Sequence, residues 1–283
     1  MPSATNYRPE MTSAGLKPTS PVHAIDEYQK SHELYVADER PLTIYVDSYE
    51  IVTLMTIGSQ PELLALGYLK NQGIISDIKE IKSVQVDWEV GAAAITTFSN
   101  RDDWIERLGP RIVTTGCGQG TMYGDIMEKL DDIHLSPKRI KQSAVYELLQ
   151  NLNAHNEVYK TAGAVHGCAL CEDTEVLIFI EDVGRHNAVD AIAGKMWLEG
   201  THGDDKLFYT TGRLTSEMII KIAYMGIPAL LSRSGITQMG YNLAKDLNVM
   251  MFSRAKGKHF YVYTGAEHLV YDVELPNKVK TNH

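Results

Sequence analysis

An α/β protein in two parts is the fold this sequence predicts, and three patterns carry the prediction. From residue 163 onward, strand-like and helix-like segments alternate, which points to a mostly parallel sheet covered by helices. Residues 40–115 hold short runs of period two around one helical segment, the pattern of a small α+β domain. Residues 1–30 are rich in Ser, Thr and Pro without periodicity, and read as a tail with too little apolar surface to offset its ordering entropy. The division is therefore a tail at 1–30, a small α+β domain at 31–115, a mobile glycine-rich loop and linker at 116–134, and an α/β domain at 135–283.

The elements follow in order. Leu42, Ile44 and Val46 alternate with polar residues, and 51–57 is a second β-rich run, so two paired strands are expected. Ser59 and Glu62 match a capping box ahead of Leu63, Leu66, Gly67 and Leu69, with Gly73 placed to end the helix. Val84, Val86, Trp88 and Val90 alternate with Ser83, Gln85, Asp87 and Glu89 as a strand buried on one face. Gly91 turns it into the run 92–98, and 111–115 makes a further strand. Beyond the linker, Ser136 and Pro137 suit a helix start, and Ile140, Ala144, Leu148 and Leu152 recur every four residues. Strands at 163–170 and 176–181 flank a Glu-Asp-Thr turn. Helix 187–198, strand 207–210, helix 216–225, strand 229–231, helix 237–246 and strands 249–252 and 260–263 complete the series.

Composition narrows the class. The chain has 283 residues, 36 acidic against 27 basic side chains, net charge −9 and 44% hydrophobic content. That is a globular profile, and its acidity argues against non-specific nucleic-acid binding. No apolar run approaches the roughly 18–20 residues that span a bilayer, and the first thirty residues lack a signal-peptide core, so no membrane association and a cytoplasmic location are expected. Three cysteines cannot build a disulfide framework and fit a reducing compartment.

Ligands of open α/β sheets bind beyond the carboxyl ends of the strands, so the loops leaving those ends are read together. They carry Gly184, Arg185, His186 and Asn187; Thr211, Gly212 and Arg213; Arg233 and Gly235; and Arg254, Lys256, Gly257 and Lys258. Each holds a glycine, which lets backbone approach a ligand, and an arginine, whose planar fork suits phosphate. Asn187, Ser216 and Thr237 fall at expected helix starts, which favour anions. Three or four charge-assisted hydrogen bonds of roughly 1.5–3 kcal/mol each suffice for a polyanion. A single such arginine is most simply a surface residue paired with a carboxylate, whereas four successive loops on one edge favour a nucleotide or phosphorylated cofactor. Glu181, Asp182, Arg185, His186 and Asp190 suit either acid–base chemistry or internal pairing, with an Arg185–Asp190 ion pair as one form of the latter.

Cys117 stands among Gly116, Gly118 and Gly120. A mobile backbone suits a thiol that travels between partners, and cationic neighbours would favour its thiolate; the plain alternative is a free cysteine in a glycine-rich linker. Cys168 and Cys171 follow His166 as Cys-Ala-Leu-Cys, half of a zinc-site pattern. Residues three apart on a strand face opposite ways, and no glutamate follows the histidine as in zinc deaminases, so core cysteines and no metal site are favoured.

Taken together, Glu-Asp-Val-Gly-Arg-His-Asn-Ala-Val-Asp at 181–190, Gly-Arg-Leu-Thr-Ser-Glu-Met at 212–218 and Gly-Ile-Pro-Ala-Leu-Leu-Ser-Arg-Ser at 226–234 resemble the FdhD-type formate dehydrogenase accessory sulfurtransferase family. Leu-Gly-Tyr-Leu-Lys-Asn-Gln-Gly-Ile-Ile at 66–75, Thr-Gly-Cys-Gly at 115–118 and Val-Tyr-Thr at 262–264 support the match, which runs from about residue 40 to 265. The resemblance implies a C-terminal domain like cytidine deaminase, with a mixed sheet and no zinc, a smaller N-terminal domain, and a homodimer. It implies a persulfide on Cys117, received from a cysteine desulfurase and passed to the molybdenum bis(molybdopterin guanine dinucleotide) cofactor of formate dehydrogenase. The family's cofactor-binding segment corresponds to Phe252, Ser253, Arg254, Ala255, Lys256 and Gly257, and the phosphates of the guanine nucleotides would account for Arg185, His186, Arg213 and Arg233. The alternative is a non-catalytic chaperone that binds the cofactor or a guanine nucleotide. One departure stands out: the family motif Cys-Gly-x-Cys reads Cys117-Gly-Gln-Gly120 here. One thiol still suffices to hold a persulfide, and Cys168 or Cys171 is a candidate to replace the lost one.

Overall fold

The computed structural model describes residues 7–99, 130 and 133–274. Cys117, the predicted strand 111–115 and most of the predicted linker lie outside the described residues.

The first sheet has five strands in the order β1-β6-β7-β4-β5: β1 (Glu10–Met11), β4 (Arg40–Val46), β5 (Tyr49–Thr56), β6 (Ile81–Asp87) and β7 (Ala92–Thr97). The β4–β5 hairpin turns on Asp47 and Ser48, both with positive φ, as a two-residue turn requires. Strand β6 is shorter than its alternation suggests. Trp88 leaves the ladder to donate from its indole to Ala14 O at 2.7 Å, and Val90 is exposed in the turn.

Residues 7–30, read as a tail, are built into the fold. Strand β1 pairs parallel with β6, the Leu16 N–H donates to Gly58 O, and β2 (Thr19–Ile25) forms an antiparallel ribbon with β3 (Ser31–Ala37). Glu62 explains part of this. Instead of closing a capping box with Ser59, its Oε1 accepts from Thr12 Oγ1 and the Ala14 N–H, both at 2.7 Å. Helix α1 (Pro61–Asn71) therefore begins with Pro at its first position and no side-chain cap, and ends before Gly73 at φ +66°.

The second sheet has six strands in the order β10-β9-β11-β12-β13-β14: β9 (His166–Glu172), β10 (Glu175–Asp182), β11 (Leu207–Thr210), β12 (Ala229–Ser232), β13 (Met250–Lys256) and β14 (His259–Thr264). Only β11–β12 and β12–β13 pair in parallel. The sheet is mixed because two hairpins, β9–β10 and β13–β14, close its edges with antiparallel pairs. Helices α4 (Arg185–Glu199), α5 (Ser216–Tyr224) and α6 (Gln238–Asp246) share the core on one face, and α2 (Gln142–Ala154) packs Val145, Leu148, Leu149 and Leu152 on the other. Ser136 and Pro137 do not start α2, because Ile140 and Lys141 form β8 (Ile140–Lys141) against β15 (Leu269–Val270). The short helix α3 (Glu157–Ala162) precedes β9.

The two sheets are joined through α1 and α4. A Cβ on Gly67 would lie 1.6 Å from Asp190 O, and one on Gly194 would lie 2.1 Å from Leu63 O, so only glycine permits this crossing. Helix α4 is buried on nearly every side and uses Ala188, Ala191, Ala193 and Gly194 to fit between layers.

Candidate functional site

Strand direction decides whether the arginine loops meet. Because β9 is antiparallel to both β10 and β11, the strands β10, β11, β12 and β13 all point the same way and release their loops at one edge. The start of β9, His166, lies at that same edge. Hydrogen bonds stitch the loops into a row: Thr211 N–H to Gly167 O at 2.9 Å, Ser232 Oγ to Gly212 O at 2.7 Å, Arg254 N–H to Ser234 O at 3.0 Å, and Ser253 Oγ to Ser234 O at 2.6 Å.

The basic residues fall into two layers. Arg213, Arg233, Arg254 and Lys256 are exposed, whereas Arg185 and His186 are buried at the start of α4. Gly212 has to be glycine for this, since a Cβ there would come 2.5 Å from Arg185 Cδ. Arg254 takes φ +52° at a bulge in β13, one extra residue between the Ser253–Tyr261 and Lys256–His259 pairs, which aims its side chain out of the ladder. Phe252, Ser253 and Ala255 are fully buried; Phe252 packs edge-on against Phe260. Within that segment the side chains offered to solvent are those of Arg254 and Lys256, with Gly257 turning the chain at φ +60°.

The acidic residues beneath are committed to structure. Glu181 accepts the Val158 and Tyr159 N–H groups at the start of α3, at 2.8 and 2.9 Å. Asp182 takes hydrogen bonds from Thr56 Oγ1 at 2.5 Å, Asn187 Nδ2 at 2.8 Å and the Gly184 N–H at 3.1 Å, tying the end of β5 to the start of α4. Asp190 pairs with Lys221 rather than Arg185: Nζ donates at 2.7 Å, and Asn71 Nδ2 also donates at 2.7 Å. The reason is position, since Arg185 at the helix start points toward the strand edge while Asp190 lies a turn deeper against α1 and α5. Burial pushes the carboxyls of Asp182, Asp190 and Glu217 above their ordinary range. Burial, reinforced by Lys221 and Arg185, drives His186 down to about 2, so its imidazole is neutral. Glu217 Oε2 stands 3.3 Å from His186 Nε2, outside hydrogen-bonding alignment, and neither that nitrogen nor Arg185 Nε has a hydrogen-bond partner within the described residues.

Two cavities open on this edge. One of about 350 Å³ is lined by Glu39, Thr53, Met55, His166, Arg185 and His186 among others; one of about 230 Å³ is lined by Asn156, Tyr159, His166, Gly167, Thr211 and Arg233. His166 belongs to both. Burial, then the guanidinium groups of Arg185 and Arg213, lower its pKa below the ordinary histidine value. The sequence marked His166 as a candidate metal ligand and placed Thr211 in the loop with Gly212 and Arg213, but gave no sign of Asn156 and Tyr159, which reach the edge only through the fold.

Cys168 and Cys171 are both buried at 0% exposure, on opposite faces of the sheet and in separate core clusters. Burial pushes each thiol up to about 12, and Cys168 donates to Thr210 Oγ1 at 3.2 Å. Neither is suited to replace a missing reactive thiol, because attack requires an accessible thiolate. Among the described residues, no three His, Cys, Asp or Glu side chains gather as a metal site, and no helix is long and apolar enough to cross a membrane.

Comparison with known proteins places this architecture. The sequence profile of the FdhD/NarQ family matches residues 37–270. The sulfur carrier protein FdhD of Listeria monocytogenes serotype 4b is 32% identical over 241 residues, covering 84% of this chain and 92% of the relative. The protein of the same name from Bacillus subtilis is 29% identical over 232 residues, covering 82% and 88%. In fold, the chain matches a crystal structure from Desulfotalea psychrophila, assigned there as a formate dehydrogenase accessory protein, with TM-score 0.70 and 24% identity over 89% of this chain and 98% of the other. With the profile spanning the second sheet, the first sheet apart from β1, the α1–α4 crossing and all four arginine loops, the chain belongs to the FdhD/NarQ family.

Proposed function

We propose that this protein carries sulfur for formate dehydrogenase as a persulfide on Cys117, and that the acceptor is the molybdenum bis(molybdopterin guanine dinucleotide) cofactor lying along the arginine edge. The observation that carries the reading is the convergence of four glycine–arginine loops on one edge, in a chain whose relatives are named sulfur carrier protein FdhD. Exposed Arg213, Arg233 and Arg254 offer planar donor forks that match diphosphate oxygens, and Gly212, Gly235 and Gly257 let backbone approach them. Buried Arg185 and His186 form the floor, at a helix start that Asn187 ties to Asp182.

In the loading step the Cys117 thiolate attacks the outer sulfur of a cysteine desulfurase persulfide. A new S–S bond forms at Cys117, and the desulfurase leaves as its own thiolate. One cysteine is enough for that exchange, so Gly120 in place of the family's second cysteine does not abolish it. The C-terminal half is read as a deaminase-like domain that has exchanged zinc chemistry for anion binding, and the working form as a cytoplasmic homodimer.

The test is sulfur transfer itself. Incubation with a cysteine desulfurase and isotopically labelled cysteine should place label on Cys117; label on no cysteine, or only on Cys168 or Cys171, refutes the assignment. Gly120 gives a second reading some footing, a non-catalytic chaperone of the cofactor or of a guanine nucleotide. Cys117→Ala separates the two, since a chaperone lacking that thiol still restores formate dehydrogenase in a strain deleted for the gene and a sulfur carrier does not.

A further inference from the structure

His166 is the point where the two cavities meet, and Thr211 is the neighbour that can select which of its nitrogens carries the proton. Thr211 Oγ1 lies 3.1 Å from the Gly167 N–H, which can only donate, and 3.2 Å from His166 Nδ1. A hydroxyl has one hydrogen and two acceptor sites. With Gly167 occupying one acceptor site, Nδ1 is the acceptor that the described residues offer to the Thr211 hydrogen. When Nδ1 takes that hydrogen, it bears none of its own, and in a neutral ring the proton sits on Nε2.

The surroundings favour the neutral ring over the cation. Arg185 and His186 face it from α4, Arg213 from the loop after β11, and Arg233 and Tyr159 share the smaller cavity. The carboxylates nearby are Glu39, across the larger cavity, and Asp182, its register partner on β10, which Thr56 and Asn187 already occupy. Protonating His166 would add a cation beside two guanidinium groups; a neutral N–H adds a hydrogen bond without that repulsion.

We propose that His166 donates its Nε2–H to a phosphate-type oxyanion that bridges the two cavities, with Thr211 fixing the ring in that form. The proposal deepens the reading of this edge as an anion site and does not depend on sulfur transfer through Cys117. A hydrogen bond from a neutral donor to a charged acceptor corresponds to a change in affinity of about tenfold or more.

The experiment uses the full chain labelled with ¹⁵N-histidine and inorganic pyrophosphate as the probe. In the free protein near neutral pH, the His166 signals should be those of a protonated Nε2 and an unprotonated Nδ1, and pyrophosphate should move the Nε2 signal. His166→Ala should weaken pyrophosphate binding about tenfold, and His166→Gln, whose amide still donates, should recover most of the loss. Thr211→Val should mix the two ring forms while Thr211→Ser preserves the single one. The opposite ring form in the free protein, absence of pyrophosphate binding, or equal affinity in His166→Ala overturns the proposal. If His166→Ala does not fold, the wild-type ring form and the Gln and Val variants still decide. Sulfur uptake by Cys117 is read separately on the wild type, so failure there leaves this result standing, and the reverse also holds.

Discussion

Arg254 combines strain and charge at one position. Its φ of +52° is a conformation that costs a non-glycine residue about 1–2 kcal/mol, yet its side chain is exposed and its N–H is bonded to Ser234 O. On the proposed reading of this edge as an anion site, strain retained there marks function over stability. Arg254→Gly should therefore raise stability by about 1 kcal/mol in urea unfolding while weakening pyrophosphate binding; a loss of stability would show that the guanidinium holds the bulge together. Residue identity alone pointed to this arginine, to Arg213 and to Arg233, because a glycine–arginine pair after a strand is a local pattern. It did not show that Phe252 and Ser253 lie on a strand covered on both faces, which is a tertiary matter, or that Ala255 turns inward, which depends on the bulge, and a bulge has no reliable signature in one sequence.

At the level of elements, the close crossing of α1 and α4 is the joint on which the arginine edge depends, since Asp182, Asn187 and Asp190 all tie α4 to residues of the first sheet and α1. Gly67→Ala would force a methyl group to within 1.6 Å of Asp190 O, and neither backbone can yield without parting the helices. Overpacking usually costs 1–3 kcal/mol, and backbone against backbone lies at or above that range, about 3 kcal/mol or more. The variant should lose its cooperative unfolding transition or show it at much lower denaturant. Gly235→Ala is the matched control: its Cβ would meet nothing within 4 Å, so stability should stay within about 0.5 kcal/mol. Helix and strand order in the second half was legible because strong periodicity and short loops leave few alternatives. The β2–β3 ribbon was not, because neither strand buries a residue, with Leu34, Tyr35 and Val36 all open to solvent, so no buried face imposes a period of two. The capping box failed for a tertiary reason, since Glu62 reaches Thr12 and Ala14 fifty residues back in sequence, beyond any local pattern.

Across the whole molecule, net charge −9 surrounds a core that contains ionisable groups in forms water would not favour. His186 is the clearest. Its folded pKa of about 2 lies below the ordinary 6.5, so the unfolded chain binds its proton more readily. Its contribution to stability is intact above about pH 6.5 and is lost as pH falls below it, at up to about 1.4 kcal/mol per pH unit. The raised carboxyls of Asp182, Asp190 and Glu217 act the other way, because the folded state holds their protons more tightly than the unfolded one and gains stability as pH falls through their folded values. The wild-type slope is thus a difference, and His186→Gln isolates one side of it. Urea unfolding at pH 7.5, 6.5 and 5.5 should show the gap between wild type and variant shifting in the variant's favour below pH 6.5, by about 1 kcal/mol between the last two points. A gap that stays constant over that range would mean that His186 takes up its proton in the folded state, with the Glu217 carboxylate at 3.3 Å as its counter-charge.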